Sequence, residues 1–268
     1  MLKKVLNSIS EFVSADPMPE IGPITSTKPR ILYIVTKYPE YSETYMHEEM
    51  VAMSEDYELR IVDYEKSKAP RNNSLPHIFI NYRDSNLSYG SFRNINTEFT
   101  NPAQVRFMEK LDYLIQEFKP EIIHTHYLPN AWLVRKLADK HQIPFTVRVH
   151  SFDIMINSQE RMQSMMDAIN TPLCKQVFTY PEFLKVFGAH GIANEKVQAY
   201  WPISNTSLFK PSTGNKTGKK VICAGPCTAK KSHDRFIDLA YLMRDTDYTF
   251  DLYTTGNSEA KIKKYNTE

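Results

Sequence analysis

Five short stretches of the chain hold residue types able to do chemistry. The densest is CAGPCTAKKSHD at 223–234, with Cys223, Gly225, Cys227, Lys230, Lys231, His233 and Asp234. Its cysteines have three residues between them rather than the two of a redox pair, and no second ligand pair stands near enough for a zinc site. Two lysines just ahead of a helix suit a diphosphate, because a helix N-terminus presents unpaired backbone N–H groups. The phosphate loop is therefore the best reading of this stretch.

VHSFDI places His150 and Asp153 just past a strand. A histidine held there either donates to a phosphate or sugar hydroxyl, or closes its own turn. In HTHYLPN, His124 and His126 are read as pointing to opposite faces of the sheet, His124 as a core candidate and His126 as the site candidate. Neither has the i, i+4 helical spacing of a zinc pair. In KYPEYSET, the Ser42, Glu43 and Thr44 backbone opens a helix, with Ser42 capping it or the N–H groups free for a ligand. Tyr127 and Tyr180 directly follow strands and are candidate wall residues.

These loops must be held by the elements between them. From residue 30, apolar runs of strand length alternate with amphipathic helices: RILYIVT, SETYMHEEMVAMSED, YELRIVDY, then PAQVRFMEKLDYLIQEFK, EIIHTH, NAWLVRKLADKH and FTVRVH. A helix near 159–170, strand 176–180, helix 181–190 and strand 196–202 continue the series. Such alternation predicts a parallel sheet covered on both faces. A shorter series follows the polar spacer STGNKTG: strand 219–225, helix 232–245, strand 248–256 and a last short helix. The expected fold is a doubly wound α/β one, with a complete Rossmann-like N-terminal domain and a partial second one. The expected boundaries are an N-terminal helix and linker over 1–29, the first domain over 30–204 and the second over 205–268. In open parallel sheets ligands bind beyond the carboxyl ends of the strands, where all five loops fall.

Composition narrows the classes. A net charge of +2 over 268 residues gives no electrostatic case for nucleic acid, and no apolar run is long enough to span a bilayer. Three cysteines are too few for a disulfide framework, so a reducing, cytoplasmic setting is expected. Leu2, Val5, Leu6, Ile9 and Phe12 form one helical stripe that either docks on its own domain or lies on a membrane surface.

The stretches EIIHTHYLPN, TVRVHSFDI, VFTYPEFLKVFGAHGIANEKVQAYWPISNTSLFKP and KKVICAGPCTAKKSHDRFIDLA come in an order that resembles the GT-B-fold glycosyltransferases of family 4, which retain configuration. PEYSETYMHEEM is similar to the opening of a subgroup linked to exopolysaccharide synthesis, and the resemblance spans residues 30–256. It implies transfer of a sugar from a nucleotide-diphosphate donor to a saccharide or lipid-linked acceptor, with no metal. It makes His150 a contact to donor sugar or phosphate, Asp153 its loop partner, and Lys230 or Lys231, beside Gly225, the neutralising charge on the diphosphate. Ser42, Glu43, Thr44 and His126 would line the cleft on the acceptor side. The family's diphosphate-binding arginine is replaced by Pro226, and its paired glutamates lie beyond Glu268, so the chain is expected to be truncated in its second domain. The alternative expectation is a non-catalytic relative that binds a sugar nucleotide or a partner enzyme.

Overall fold

A computed structural model describes residues 17–40, 43–65, 75–80, 102–155, 159–207, 209–211, 218–228 and 231–254. The expected N-terminal helix, the last short helix, Ser42 and Lys230 lie outside the described residues. Two compact units divide the chain, the first reaching Phe209 and the second starting at Lys210.

The first unit is a seven-stranded sheet. Its strands are β1 (Arg30–Val35), β2 (Glu58–Asp63), β3 (His77–Phe79), β4 (Ile122–His126), β5 (Phe145–Arg148), β6 (Cys174–Thr179) and β7 (Val197–Ala199). Their order is β3-β2-β1-β4-β5-β6-β7, every pairing is parallel, and the chain reverses direction of growth between β1 and β4. This is the Rossmann order, and the β1/β4 junction is its switch point.

Strand character follows from the sequence. Arg30–Val35 is buried along almost its whole length, as an interior parallel strand covered on both faces must be. Leu32 and Ile34 pack with Ile123, Val147, Trp132 and Phe118 on one face. Ile31, Tyr33 and Val35 pack with Met46, Met50 and Ile61 on the other.

The helices supply those covers. In α1 (Thr44–Ser54), Met46 and Met50 are one turn apart and both buried. Helix α2 (Pro102–Phe118) buries Phe107, Leu111, Leu114, Ile115 and Phe118, and Lys119 with φ 51° ends it before Pro120. A short 3-10 turn at Leu128–Asn130 leads into α3 (Ala131–His141), where Trp132 donates its indole N–H to the Ser164 carbonyl at 2.8 Å. Helices α4 (Ser151–Met155), α5 (Gln159–Ile169) and α6 (Leu184–Ala189) complete the unit. The sequence pattern did not anticipate α4. Among the described residues no helix is long and apolar enough to cross a membrane.

The second unit contains β8 (Lys220–Ala224), α7 (His233–Leu242) and β9 (Thr249–Tyr253), a parallel strand pair with a helical crossover. Phe236 of the helix meets Phe250 of the strand edge-on, ring centres 5.7 Å apart.

Candidate active site

At the switch point β1 and β4 run side by side and their following loops part, one into α1 and the other into α3. Between them lies a cleft of about 390 Å³ lined by Thr36, Lys37, Glu43, Glu65, Tyr127 and Phe152. Lys37 and Glu65 face each other at 3.4 Å. Beneath them the Tyr64 hydroxyl donates to Asn130 Oδ1 at 2.6 Å, and Asn130 Nδ2 donates to the His126 carbonyl at 2.8 Å. That network holds the floor where β1 and β4 separate.

Helix α1 begins at Thr44, so Glu43 rather than Ser42 occupies the capping position, and its side chain makes no capping bond. The Glu43 carboxylate instead accepts from the Tyr127 hydroxyl, which in turn accepts from Tyr45 at 2.8 Å. Burial pushes the Glu43 carboxyl above its ordinary 4.5, against the pull of the Tyr127 bond. Burial, with the charge of Glu43, raises the Tyr45 and Tyr127 hydroxyls as well, so both remain O–H donors. Tyr127 holds φ 71°, a conformation that costs a non-glycine residue about 1–3 kcal/mol and recurs where geometry serves a site.

The rings of Tyr45 and Tyr127 sit 5.0 and 4.5 Å from the ring of His150. His150 is 5% exposed, and its pKa is pulled down to about 2 by burial first and then by His126 and Arg148. It is therefore a neutral imidazole. Its Nε2 lies 3.2 Å from His126 Nδ1, and the two rings stack. Asp153 is fully buried, and its Oδ2 accepts from the backbone N–H groups of Leu128 at 3.0 Å and His150 at 2.9 Å. One carboxylate thus ties the loop after β4 to the loop after β5.

His124 and His126 point to the same face of the sheet, not to opposite faces. Side chains on a strand alternate with a period of two, so residues two apart share a face. Both imidazoles meet Glu49 of α1, with His124 Nε2 at 3.4 Å and His126 Nε2 at 3.3 Å from Oε1. Burial alone would raise the Glu49 carboxyl. The facing imidazoles outweigh it and hold the group well below the usual carboxylate range. Tyr33 closes the cluster from β1, 4.9 Å from the His124 ring.

Tyr180 is placed beside Trp201, ring centres 5.8 Å apart, with the buried Arg148 guanidinium 5.3 Å from its ring. Arg148 also lies 3.9 Å over Tyr200 and donates to the Tyr200 carbonyl at 3.0 Å. The structure therefore gathers Glu43, His126, Tyr127, His150 and Asp153 into one neighbourhood, with Thr44 as the first residue of the helix above it. It adds Tyr45, Glu49 and Arg148, which sequence reasoning missed. A signal for Glu49 existed: it sits three residues after Met46, on the stripe that faces the sheet.

In the second unit Gly225 ends β8 with φ 151° and donates its N–H to the Tyr253 carbonyl at 3.0 Å. A Cβ at Gly225 would meet the Lys231 chain at 3.4 Å, so this lysine lies over the glycine. Lys231 and Gly225 thus share one turn at the carboxyl end of β8.

No protein-family model matches the chain, and no curated protein matches its sequence. Its fold is shared with solved structures of Rossmann-like α/β proteins of the GT-B class. Anabaena HepE in complex with UDP matches at TM-score 0.64 and 12% identity, over 89% of this chain and 65% of that one. A glycosyltransferase from Rickettsia africae matches at 0.62 and 13%, over 90% and 65%. Sucrose-phosphate synthase from Thermosynechococcus elongatus matches at 0.59 and 12%, over 89% and 68%. The chain spans 65% of the length of the HepE structures it matches.

Proposed function

We propose that this protein belongs to a glycosyltransferase system of the family 4 type. It would move a hexosyl group from a nucleotide-diphosphate sugar to a saccharide or lipid-linked acceptor, with retention of configuration. The observation that carries this reading is the set of neutral and acidic groups gathered beyond β1, β4 and β5. They stand at the position where parallel α/β sheets bind ligands. The likeness in fold to HepE, which was crystallised with UDP and with UDP-glucose, supports the choice of ligand.

The residues divide the work. His150, neutral and braced by Asp153, contacts the donor sugar or its phosphate. Glu43, Thr44, Tyr127 and the Ser42 segment serve the acceptor side, where a carboxylate raised by burial takes a hydrogen bond from an acceptor hydroxyl. Tyr180 is kept as a wall residue. Lys230, Lys231 and the Gly225 turn hold the departing diphosphate, with the start of α7 adding its N–H groups. That charge stabilisation is the main catalytic device, and no metal takes part in the transfer. Three cysteines in 268 residues fit a cytoplasmic protein, and the apolar stripe over 2–12 fits contact with the inner face of a membrane. The pathway would be synthesis of a cell-surface polysaccharide or glycolipid.

The test is release of UDP or GDP from a panel of nucleotide sugars. His150→Ala should lower the rate by roughly a hundredfold, the usual effect of removing one polar contact to the transferring group. Pro226 supplies no charge and no N–H, which favours a second reading as a binding-only relative. That reading predicts thermal stabilisation by a nucleotide sugar without turnover.

A further inference from the structure

We propose that Glu49, His124 and His126 form a binding site for a divalent cation of the zinc class. The three residues come from two elements, α1 and β4, and their ligand atoms all lie within 4.8 Å of one another. Two imidazoles and one carboxylate are a donor set that zinc takes in sites keeping one position for water.

The spacing favours a cation over hydrogen bonds. Glu49 Oε1 stands 3.4 Å from His124 Nε2 and 3.3 Å from His126 Nε2. A charge-assisted N–H···O bond draws its atoms to about 2.7–2.9 Å. Ligands on a tetrahedral ion with bonds near 2.0–2.1 Å stand about 3.3–3.4 Å apart. Both Nε2 atoms are buried and, among the described residues, have no hydrogen-bond partner. Each points at the carboxylate without bonding it.

The far nitrogens are already anchored, as metal-binding histidines require. His124 Nδ1 bonds Thr146 Oγ1 at 2.6 Å, and His126 Nδ1 meets His150 Nε2 at 3.2 Å. With the protons on both Nδ1 atoms, both Nε2 lone pairs face the carboxylate. In that tautomer three electron-rich atoms converge, and a cation entering there takes the place of the protons through which the imidazoles otherwise answer Glu49. Glu49 keeps 13% side-chain exposure, which gives the ion a way in. Bound there, the ion would pin α1 to β4 and fix His126 as a donor to His150. It takes no part in the transfer chemistry proposed above, and its presence is measured without activity.

The experiment is titration of chelator-treated full-length protein with cobalt(II) and zinc, read by the visible bands of tetrahedral cobalt(II) and by metal analysis. A single equivalent should bind and raise the melting temperature. Glu49→Gln should lose that equivalent, while Thr146→Val, which removes only the partner of His124, should weaken it about ten- to a hundredfold. The Thr146 variant also decides the matter if Glu49→Gln fails to fold. Absence of an equivalent in wild type, or equal binding by Thr146→Val and wild type, would overturn the proposal.

Discussion

Glu43 precedes one helix and Glu49 stands six residues further along it, and their surroundings pull them in opposite directions. Glu43 opens onto the cleft and accepts from the Tyr127 hydroxyl, which Tyr45 backs, and burial raises its carboxyl. Glu49, one and a half turns further along α1, meets two imidazoles, and these lower its carboxyl against the same burial. The tyrosines can only share hydrogen bonds, whereas imidazoles answer a carboxylate with positive charge. The cleft side of α1 thus keeps an adjustable carboxyl, and the sheet side fixes an anion.

The largest effect should come from breaking the fixed side. Glu49→Ala in metal-free protein removes the carboxylate that His124 and His126 both face. Loss of one partner from a buried ion pair typically costs about 3 kcal/mol. Urea unfolding should show it as a lowered midpoint with unchanged slope. A loss under about 1 kcal/mol would place this carboxylate with ordinary surface ion pairs.

The same comparison shows what could be read from the chain beforehand. The strands and most helices were legible because interior parallel strands are continuous apolar runs such as ILYIV, and because α2 repeats its apolar residues with helical spacing. Tyr127, His150 and Asp153 were singled out because the carboxyl ends of parallel strands collect ligands, and the structure brings them together. Glu49 was passed over because a glutamate inside an amphipathic helix usually faces water. Its place three residues after Met46 was the one hint that it points inward, and the docking of α1 on the β1/β4 face bears that hint out. The pairing of His124 with His126 was misread through strand parity, an error of geometry rather than of missing information. Arg148 was hidden because an alternating strand such as TVRVH gives no sign that a charged position is roofed by tyrosines.

A smaller effect is expected from the cleft side. Tyr127→Phe deletes the hydroxyl that donates to Glu43 and accepts from Tyr45. A hydrogen bond to a charged group contributes about 1.5–3 kcal/mol, and rebinding of Glu43 by Tyr45 should hold the loss near the lower figure. Tyr45→Phe leaves the Tyr127–Glu43 bond in place and should cost less. If Tyr45→Phe costs as much as Tyr127→Phe, the order of donation along this chain is wrong.

The smallest change, and the one that sharpens the contrast most, is Glu43→Gln. A carboxyl whose folded pKa is raised binds more protons folded than unfolded just above its ordinary 4.5. Its contribution to stability is therefore full below pH 4.5 and lost as pH rises through the folded value. Glu49 behaves in the opposite sense: its contribution is full above 4.5 and lost as pH falls below. Glutamine at 43 cannot ionise, yet its carbonyl still accepts from Tyr127. The variant should match wild type near pH 4 and exceed it in stability at pH 7, while the acid limb set by Glu49 stays unchanged. Urea midpoints for both proteins from pH 4 to 8 measure the gap directly. A gap that is constant across that range would mean that Glu43 does not carry the adjustable charge, and the contrast along α1 would reduce to packing.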